Sequence, residues 1–191
     1  MRCEIIDNFL SANECESIIE MSKNRLQAST TLNPDTGYDQ TNNFRVSDQM
    51  YFRIAENSLI NNIESRISAK TNTPTQHGEG LQVVFYKPGG FFKPHWDYFD
   101  PYFVGNATTL KRGGQRLITC LMYLNTLEGG GETYFNHLDL TIKPRKGRAL
   151  IWWNVNEDGT LDNSTFHEGR PVPEDTIKII ATKWIREGVF T

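Results

Sequence analysis

The sequence predicts a mainly β protein with flanking helices, built on a double-stranded β-helix, or jelly roll. From residue 81 onward, short apolar and β-branched runs alternate with turn residues, a pattern typical of a sandwich or barrel. Before residue 81, two stretches carry apolar residues at helical spacing. A jelly roll limits exposed strand edges by using two sheets. We therefore expect N-terminal helices packed against one sheet of a jelly roll, with a pocket between its two sheets.

Composition narrows the class of protein. The 191 residues suffice for one structural unit that buries about 70% of its unfolded surface without crosslinks. With 20 basic and 23 acidic residues the net charge is −3, which favours neither nucleic acid nor a membrane as partner. Cys3, Cys15 and Cys120 include no CxxC pair, so we expect free thiols in a reducing compartment. The absence of a secretory or retention pattern predicts a cytoplasmic protein of microbial, viral or other cytosolic origin.

Residues 1–78 are interpreted as an N-terminal elaboration of the core. Residues 4–10 read as a strand, and Ser11 with Glu14 forms a capping box that begins a helix reaching about residue 26. Its predicted inner face comprises Cys15, Ile18, Ile19 and Leu26.

A polar, turn-rich surface loop is predicted at residues 28–43, followed by extended chain at 44–47. Residues 56–70 suit a second amphipathic helix, which ends at 71–74. Its predicted inner face comprises Leu59, Ile60, Ile63 and Ile67.

Residues 79–187 are interpreted as the β domain that carries the chemistry. Strands are predicted at 81–86, 91–97, 116–125, 132–135, 140–143, 149–154 and 176–185. A long loop, aromatic at its start, is predicted at 98–114.

Three polar residues form a candidate metal site. A strand directs residues i and i+2 to one face, so His95 and Asp97 face one way and Trp96 the other. His167 would join them from a remote strand. Two imidazoles and one carboxylate form the ligand set of non-haem Fe(II) oxygenases. Three positions then stay open for a chelating cosubstrate and O₂.

A lysine inside the last apolar strand is a candidate anion site. Lys178 either binds the far carboxylate of a keto acid or extends to solvent from an edge strand. Lys183 alternates to the opposite face, so only one of the two lysines would line the pocket.

Motifs along most of the chain resemble the prolyl 4-hydroxylases, within the 2-oxoglutarate/Fe(II)-dependent oxygenases. They include Glu79-Gly80-Leu81-Gln82-Val83, Pro94-His95-Trp96-Asp97-Tyr98-Phe99, Gly114-Gln115-Arg116, Gly130-Gly131-Glu132-Thr133-Tyr134-Phe135, His167-Glu168-Gly169-Arg170-Pro171 and Ala181-Thr182-Lys183-Trp184. The sequence departs from that family at Tyr134-Phe135-Asn136, where Val-Phe-Pro is usual.

The resemblance implies a role for each matching residue. His95, Asp97 and His167 would bind Fe(II), and Lys178 would pair with the 5-carboxylate of 2-oxoglutarate. Lys183 would be structural. O₂ would be the second cosubstrate, with ascorbate as a further candidate.

The resemblance also implies roles around the cosubstrate. Tyr123, Tyr86 and Thr133 would help to hold it, and Arg116 would position the substrate. The alternatives are a packing role for both tyrosines, a strand-forming role for Thr133 and an ordinary ion pair for Arg116.

The implied activity is hydroxylation of peptidyl proline, with release of succinate and CO₂. Loops 28–43 and 98–113 are the candidates to close over a peptide. The alternatives are oxygenation of another amino acid or protein side chain, and a non-catalytic jelly roll that binds metal or 2-oxoglutarate. A zinc hydrolase would need Glu168 as its general base. No pattern in the sequence indicates an oligomeric state.

Overall fold

The computed structural model describes residues 1–33, 35–41 and 43–191. Its helices are α1 (Ala12–Ser22), α2 (Ser58–Thr71) and α3 (Asn106–Leu110), with 3₁₀ turns at Lys23–Arg25, Thr75–His77 and Asn163–Thr165. Its strands are β1 (Cys3–Ile6), β2 (Gln27–Ala28), β3 (Thr31–Leu32), β4 (Asp39–Gln40), β5 (Arg45–Val46), β6 (Asp48–Phe52), β7 (Leu81–Tyr86), β8 (Phe91–His95), β9 (Arg116–Tyr123), β10 (Thr133–Phe135), β11 (Leu140–Ile142), β12 (Ala149–Trp153), β13 (His167–Gly169) and β14 (Lys178–Arg186).

Two antiparallel sheets form the core of the fold. The major sheet has seven strands in the order β1-β12-β9-β14-β7-β6-β2, and the minor sheet has five in the order β11-β10-β13-β8-β5. A small hairpin pairs β3 with β4. Neighbours in space are mostly distant in sequence, as a jelly roll requires. The predicted fold class, mainly β with flanking helices, is confirmed.

The two long helices cover the outer face of the major sheet. Ser11 and Glu14 form the expected capping box at α1, and Asn72 caps α2 in the left-handed conformation. Cys15 and Ile18 of α1 are fully buried, whereas the expected inner residue Ile19 is only partly buried. No helix in the described part of the chain is long and apolar enough to cross a membrane.

Strand β9 shows how alternation divides the interior into two layers. Cys120 and Met122 belong to the apolar cluster beneath the helices. Leu121 and Tyr123 belong to a second apolar cluster that involves both sheets. Because successive side chains point to opposite faces, one strand supplies both the structural core and the wall of the pocket.

Several predicted boundaries were wrong. Strand β1 ends at Ile6 rather than residue 10, and β8 ends at His95, before Asp97. The predicted loop 28–43 contains part of β2 and the β3–β4 hairpin, although positions 34 and 42 lie outside the described residues. Strand β6 was not predicted, and α3 lies in the 98–114 loop.

Strands that precede residue 79 take part in both sheets. β6 pairs with β7 in the major sheet, and β5 pairs with β8 in the minor sheet. The division of the chain at 78/79 stays a prediction, but hydrogen bonds join the two parts strand to strand.

A buried ion pair attaches α2 to the major sheet. Lys183 Nζ lies 2.5 Å from Glu64 Oε1, and the two side chains are only 3% and 2% exposed. Glu64 Oε2 also accepts a hydrogen bond from the Ala55 amide at 2.8 Å. Burial lowers the pKa of Lys183, and the Glu64 carboxylate opposes that shift. Lys183 therefore lies on the helix side of β14, where it binds α2.

We expect Glu64→Leu to reduce the free energy of unfolding by about 3–5 kcal/mol, because the Lys183 ammonium would stay buried without its partner. The double variant Glu64→Leu/Lys183→Met should recover most of that loss. Urea unfolding measures both. As a matched control, Glu20→Leu at the exposed Lys23–Glu20 pair should change stability by less than about 1 kcal/mol. Equal losses at the two pairs would contradict the buried-charge argument.

Candidate active site

Two histidines face each other across neighbouring strands of the minor sheet. β13 pairs with β8 so that His167 lies opposite His95, and the ring centroids are 4.4 Å apart. His95 Nδ1 lies 2.7 Å from the Lys93 carbonyl, and His167 Nδ1 lies 2.8 Å from the Thr165 carbonyl. A carbonyl only accepts, so each Nδ1 carries the proton. Each Nε2 is then left with its lone pair for a metal.

Burial keeps His167 neutral. Burial, with a smaller contribution from the neighbouring His95, lowers the pKa of His167 to about 4, although Asp97 partly opposes the shift. A neutral imidazole is the form that binds a metal.

Asp97 comes after the end of β8, in a bend of the chain. Its Oδ2 accepts a hydrogen bond from Thr119 Oγ1 at 2.8 Å, and its Oδ1 lies 3.6 Å from His95 Nε2. Burial opposes ionisation of this carboxyl. The pKa of Asp97 is nevertheless lowered, and the positive charge of Arg116 contributes to that shift. The carboxylate is therefore ionised within the protein interior.

These three side chains fit a metal ion. One ligand atom from each of His95, Asp97 and His167 lies within 4.8 Å of the other two. Two imidazoles and one carboxylate suit Fe(II) and leave further coordination positions open. The chain folds so that the three predicted ligands converge, although a bend rather than strand alternation places Asp97.

Aromatic rings surround the two histidines. Phe92 stacks on His95 with ring centroids 3.6 Å apart, and Trp152 packs edge-on against His167 at 4.9 Å. Both aromatic residues also line the cavity between the sheets. The two candidate histidine ligands thus have an apolar wall that holds their rings in place.

The ammonium group of Lys178 lies in the same cavity and is unpaired among the described residues. Its side chain is fully buried, and no described residue forms a hydrogen bond or ion pair with its ammonium. The Tyr86 ring centroid is 5.1 Å from Nζ. Burial lowers the pKa of Lys178 to about 7, Glu132 opposes that shift and Arg45 adds to it. A buried cation is costly without a partner, so the cavity favours an anion beside Lys178.

The three other predicted cosubstrate residues are near this end of the cavity. Tyr86 and Thr133 line it, and both are buried. Tyr123 lies behind Thr133, and its hydroxyl donates to Thr133 Oγ1 at 2.7 Å. Tyr123 is therefore in contact with the cavity wall through Thr133.

Arg116 forms a partly buried ion pair. Its Nε lies 2.6 Å from Glu79 Oε1, and a second nitrogen lies 2.9 Å from Oε2. Glu79 also pairs with Arg186 Nε at 2.7 Å. The Arg116 guanidinium stacks 3.8 Å from the ring centre of Trp184, and Trp184 lines the cavity. Arg116 thus supports the wall next to the metal ligands.

Several residues of the site were missed in the sequence. Arg45 and Gln82 line the cavity, and Arg45 Nε is buried without a hydrogen-bond partner among the described residues. Thr119 and Asn154 lie behind Asp97 in a hydrogen-bonded chain. The only available signal for Arg45 was its place in Arg45-Val46-Ser47, a segment similar to the family.

The two other histidines lie away from the candidate ligands. His137 is exposed, and its Nδ1 lies 2.9 Å from the Asn163 carbonyl. His77 is partly buried in a 3₁₀ turn.

A wider groove of about 770 Å³ lies on the helix side of the molecule. Its cations pair with carboxylates: Arg66 with Glu14, Lys70 with Glu4 and Lys146 with Glu16. No unpaired charge among its described residues is directed at a ligand. The placement of unpaired charge therefore favours the narrower cavity between the sheets as the candidate active site.

Comparison with known proteins agrees with this geometry. Residues 81–186 match the family model described as the 2OG-Fe(II) oxygenase superfamily. The chain is 38% identical over 208 residues to "Probable prolyl 4-hydroxylase 3" of Arabidopsis thaliana, with coverage of 99% of this chain and 70% of the relative. It is 37% identical over 201 residues to prolyl 4-hydroxylase 1 of the same plant, with coverage of 97% and 69%.

A solved structure is also similar. The viral collagen prolyl hydroxylase of Paramecium bursaria chlorella virus-1, in its complex with 2OG, superposes with a TM-score of 0.73 and 32% identity. The match covers 97% of this chain and 96% of the viral one. The protein belongs to the prolyl 4-hydroxylase family of 2-oxoglutarate- and Fe(II)-dependent oxygenases.

Proposed function

We propose that this enzyme hydroxylates prolyl residues in a peptide or protein, with Fe(II), 2-oxoglutarate and O₂, and releases succinate and CO₂. One observation carries the proposal. The three candidate ligand atoms lie within 4.8 Å of one another, and the unpaired Lys178 lines the same cavity. The prolyl 4-hydroxylase names of the relatives support proline as the target.

His95, Asp97 and His167 would hold the iron, and His95 and His167 would present Nε2 because each Nδ1 is hydrogen-bonded to a backbone carbonyl. When bound, iron with 2-oxoglutarate supplies the oxidising chemistry that the side chains lack. Phe92 and Trp152 keep the imidazoles in place and exclude water from this part of the cavity.

Lys178 would bind the 5-carboxylate of 2-oxoglutarate. A carboxylate beside the ammonium would restore its charge and form a charge-assisted hydrogen bond. Tyr86 and Thr133 complete this wall of the cavity, and Tyr123 orients the Thr133 hydroxyl. Ascorbate would act only as a reductant for the iron.

Arg116 would act on the substrate side of the metal. Its pairing with Glu79 fixes the guanidinium, and its stacking on Trp184 supports a ring that lines the cavity. We assign it a positioning role, because its contacts engage the wall.

Loops 28–43 and 98–113 would close over a bound peptide. A Cβ atom at Gly37 would lie 2.4 Å from the Gly105 carbonyl oxygen, so the two loops touch. Gly37 also has φ +73°, a conformation that glycine tolerates best. Because the two loops are in contact, we expect them to enclose a bound peptide together.

A reducing compartment such as the cytoplasm fits the chemistry of the chain. Cys3, Cys15 and Cys120 are all free. The net charge of −3 offers no polybasic surface for nucleic acid or membrane.

The direct test incubates the enzyme with Fe(II), 2-oxoglutarate and either proline-rich peptides or free proline. Mass spectrometry should show one added oxygen on a prolyl residue of the peptide, with one succinate formed per hydroxylation. Asp97→Ala should lose both products, and its metal content should be measured in parallel. Oxygen added only to free proline or to another side chain would reject the proposed substrate. Full turnover by Asp97→Ala would reject the proposed ligands.

Lys178→Ala should raise the Kd for 2-oxoglutarate roughly 10- to 100-fold, since a charged hydrogen bond contributes about 1.5–3 kcal/mol. Titration of the metal-bound enzyme without O₂ measures this. The matched control is Lys183→Ala, which removes the other buried lysine of β14 from the helix side. The control should lower stability and leave the Kd unchanged. Equal Kd changes in both variants would indicate a general packing effect.

Binding of 2-oxoglutarate should weaken as pH rises. In the free enzyme the pKa of Lys178 is lowered to about 7, so the ammonium that a carboxylate requires is lost above that pH. Glu132 and Arg45 are the other charged groups that act on Lys178, the first raising and the second lowering its pKa. The Kd should rise by up to about tenfold per pH unit above 7. Lys178→Arg stays charged, and its Kd should vary less; identical pH profiles would contradict the assignment.

A further inference from the structure

A chain of three buried hydrogen bonds ends on the Asp97 carboxylate. Trp152 Nε1 donates to Asn154 Oδ1 at 2.9 Å, and Asn154 Nδ2 donates to Thr119 Oγ1 at 3.0 Å. Thr119 Oγ1 then donates to Asp97 Oδ2 at 2.8 Å. Trp152, Asn154 and Thr119 are each 0% exposed, so bulk water does not compete for these groups.

The direction of this chain is determined by its first donor. An indole N–H can only donate, so Asn154 must turn its carbonyl oxygen toward Trp152. The Asn154 amide nitrogen then points at Thr119 and occupies a lone pair of the hydroxyl. The hydroxyl proton of Thr119 is left for the carboxylate. No flip of Asn154 preserves all three bonds.

The major sheet holds these residues in register. Thr119 of β9 lies opposite Trp152 of β12 on one side and Trp184 of β14 on the other. Asn154 follows the end of β12, and its backbone bonds to both Leu117 and Asp162. The relay is therefore part of the sheet, whereas Asp97 belongs to a bend beyond β8.

We propose that Trp152, Asn154 and Thr119 act as a positioning relay that leaves only Oδ1 of Asp97 for the iron. The proposal rests on the assignment of Asp97 as an iron ligand. Trp152 also packs against the ring of His167 at 4.9 Å. One indole thus orients two of the three proposed ligands, one by contact and one through hydrogen bonds.

A single bound oxygen has a consequence for the open coordination positions. A carboxylate that binds through both oxygens would occupy a fourth position. A chelating cosubstrate and O₂ together need three. By holding Oδ2 on Thr119, the relay keeps those three positions available.

The test uses Co(II) as the probe, with its Kd and its visible absorption spectrum as readouts besides activity. Thr119→Val keeps the shape and removes the hydroxyl. It should raise the Kd about 10- to 100-fold and change the spectrum. Thr119→Ser keeps the hydroxyl, so its Kd for Co(II) and its absorption spectrum should be close to those of the wild type. Asn154→Leu should have an intermediate effect, and Trp152→Phe the smallest effect that is still measurable.

The outcomes separate this relay from the proposed function. If the wild-type protein binds no Co(II), the metal-site assignment fails, and the relay fails with it. If wild type and Thr119→Val have the same Kd and spectrum, the relay alone is wrong. A purely structural role predicts reduced unfolding stability without a spectral change. Urea unfolding of every variant provides that comparison, and such a result would also overturn the proposal.

Discussion

The pairing of β13 with β8 is the constraint on which the site depends. It places His167 opposite His95, and strand alternation turns both rings to the inner side of the minor sheet. A slip of one residue would send one ring to the outer face. The register shifts between His167 and Gly169, which pairs with Phe92, so the irregularity lies to one side of the histidine pair. Only Asp97 must be placed by side-chain contacts.

The interior contains several charged side chains. Those with an ion-pair partner stabilise the fold, whereas one without a partner is available to a ligand. Lys183 pairs with Glu64, and both are nearly inaccessible. Glu79 is shared by Arg116 and Arg186; burial opposes its ionisation, but the two guanidinium groups hold its pKa below the usual value. Lys178 differs, because no carboxylate within the described chain forms an ion pair with its ammonium. An uncompensated buried cation reduces stability, so the cavity favours an anionic ligand at this position.

Much of this arrangement was predictable because alternation and spacing are local properties. The spacing of His95 and Asp97 indicated that they share a site, although a bend rather than strand alternation places Asp97. The apolar setting of Lys178 indicated an unusual cation. The capping box at Ser11 and the helix at 58–71 followed from the same kind of pattern. The short strands of the N-terminal part were harder to predict, because long-range pairing with β7 and β8, rather than their own composition, stabilises them.

The supporting residues were not predictable for a different reason. Thr119 reads as an ordinary β-branched residue in an apolar strand, and Asn154 reads as a polar residue at a strand end. Their importance arises only when β9 and β12 align. Tyr123 reads as a pocket residue, yet its hydroxyl reaches Thr133 first. Residues that contact a ligand are thus easier to predict from sequence patterns than the residues that hold those first residues in position.

The two lysines of β14 also limit how this strand can evolve. Lys178 serves the cavity and Lys183 serves the helices, and an odd number of steps separates them. Deletion or insertion of one residue between them would turn both to the same side, so that either Glu64 of α2 or the cavity would lose its cation. Substitutions leave this parity intact. Natural variants of the strand should therefore differ in residue type and keep their length, whereas length variation should accumulate in the connecting loops.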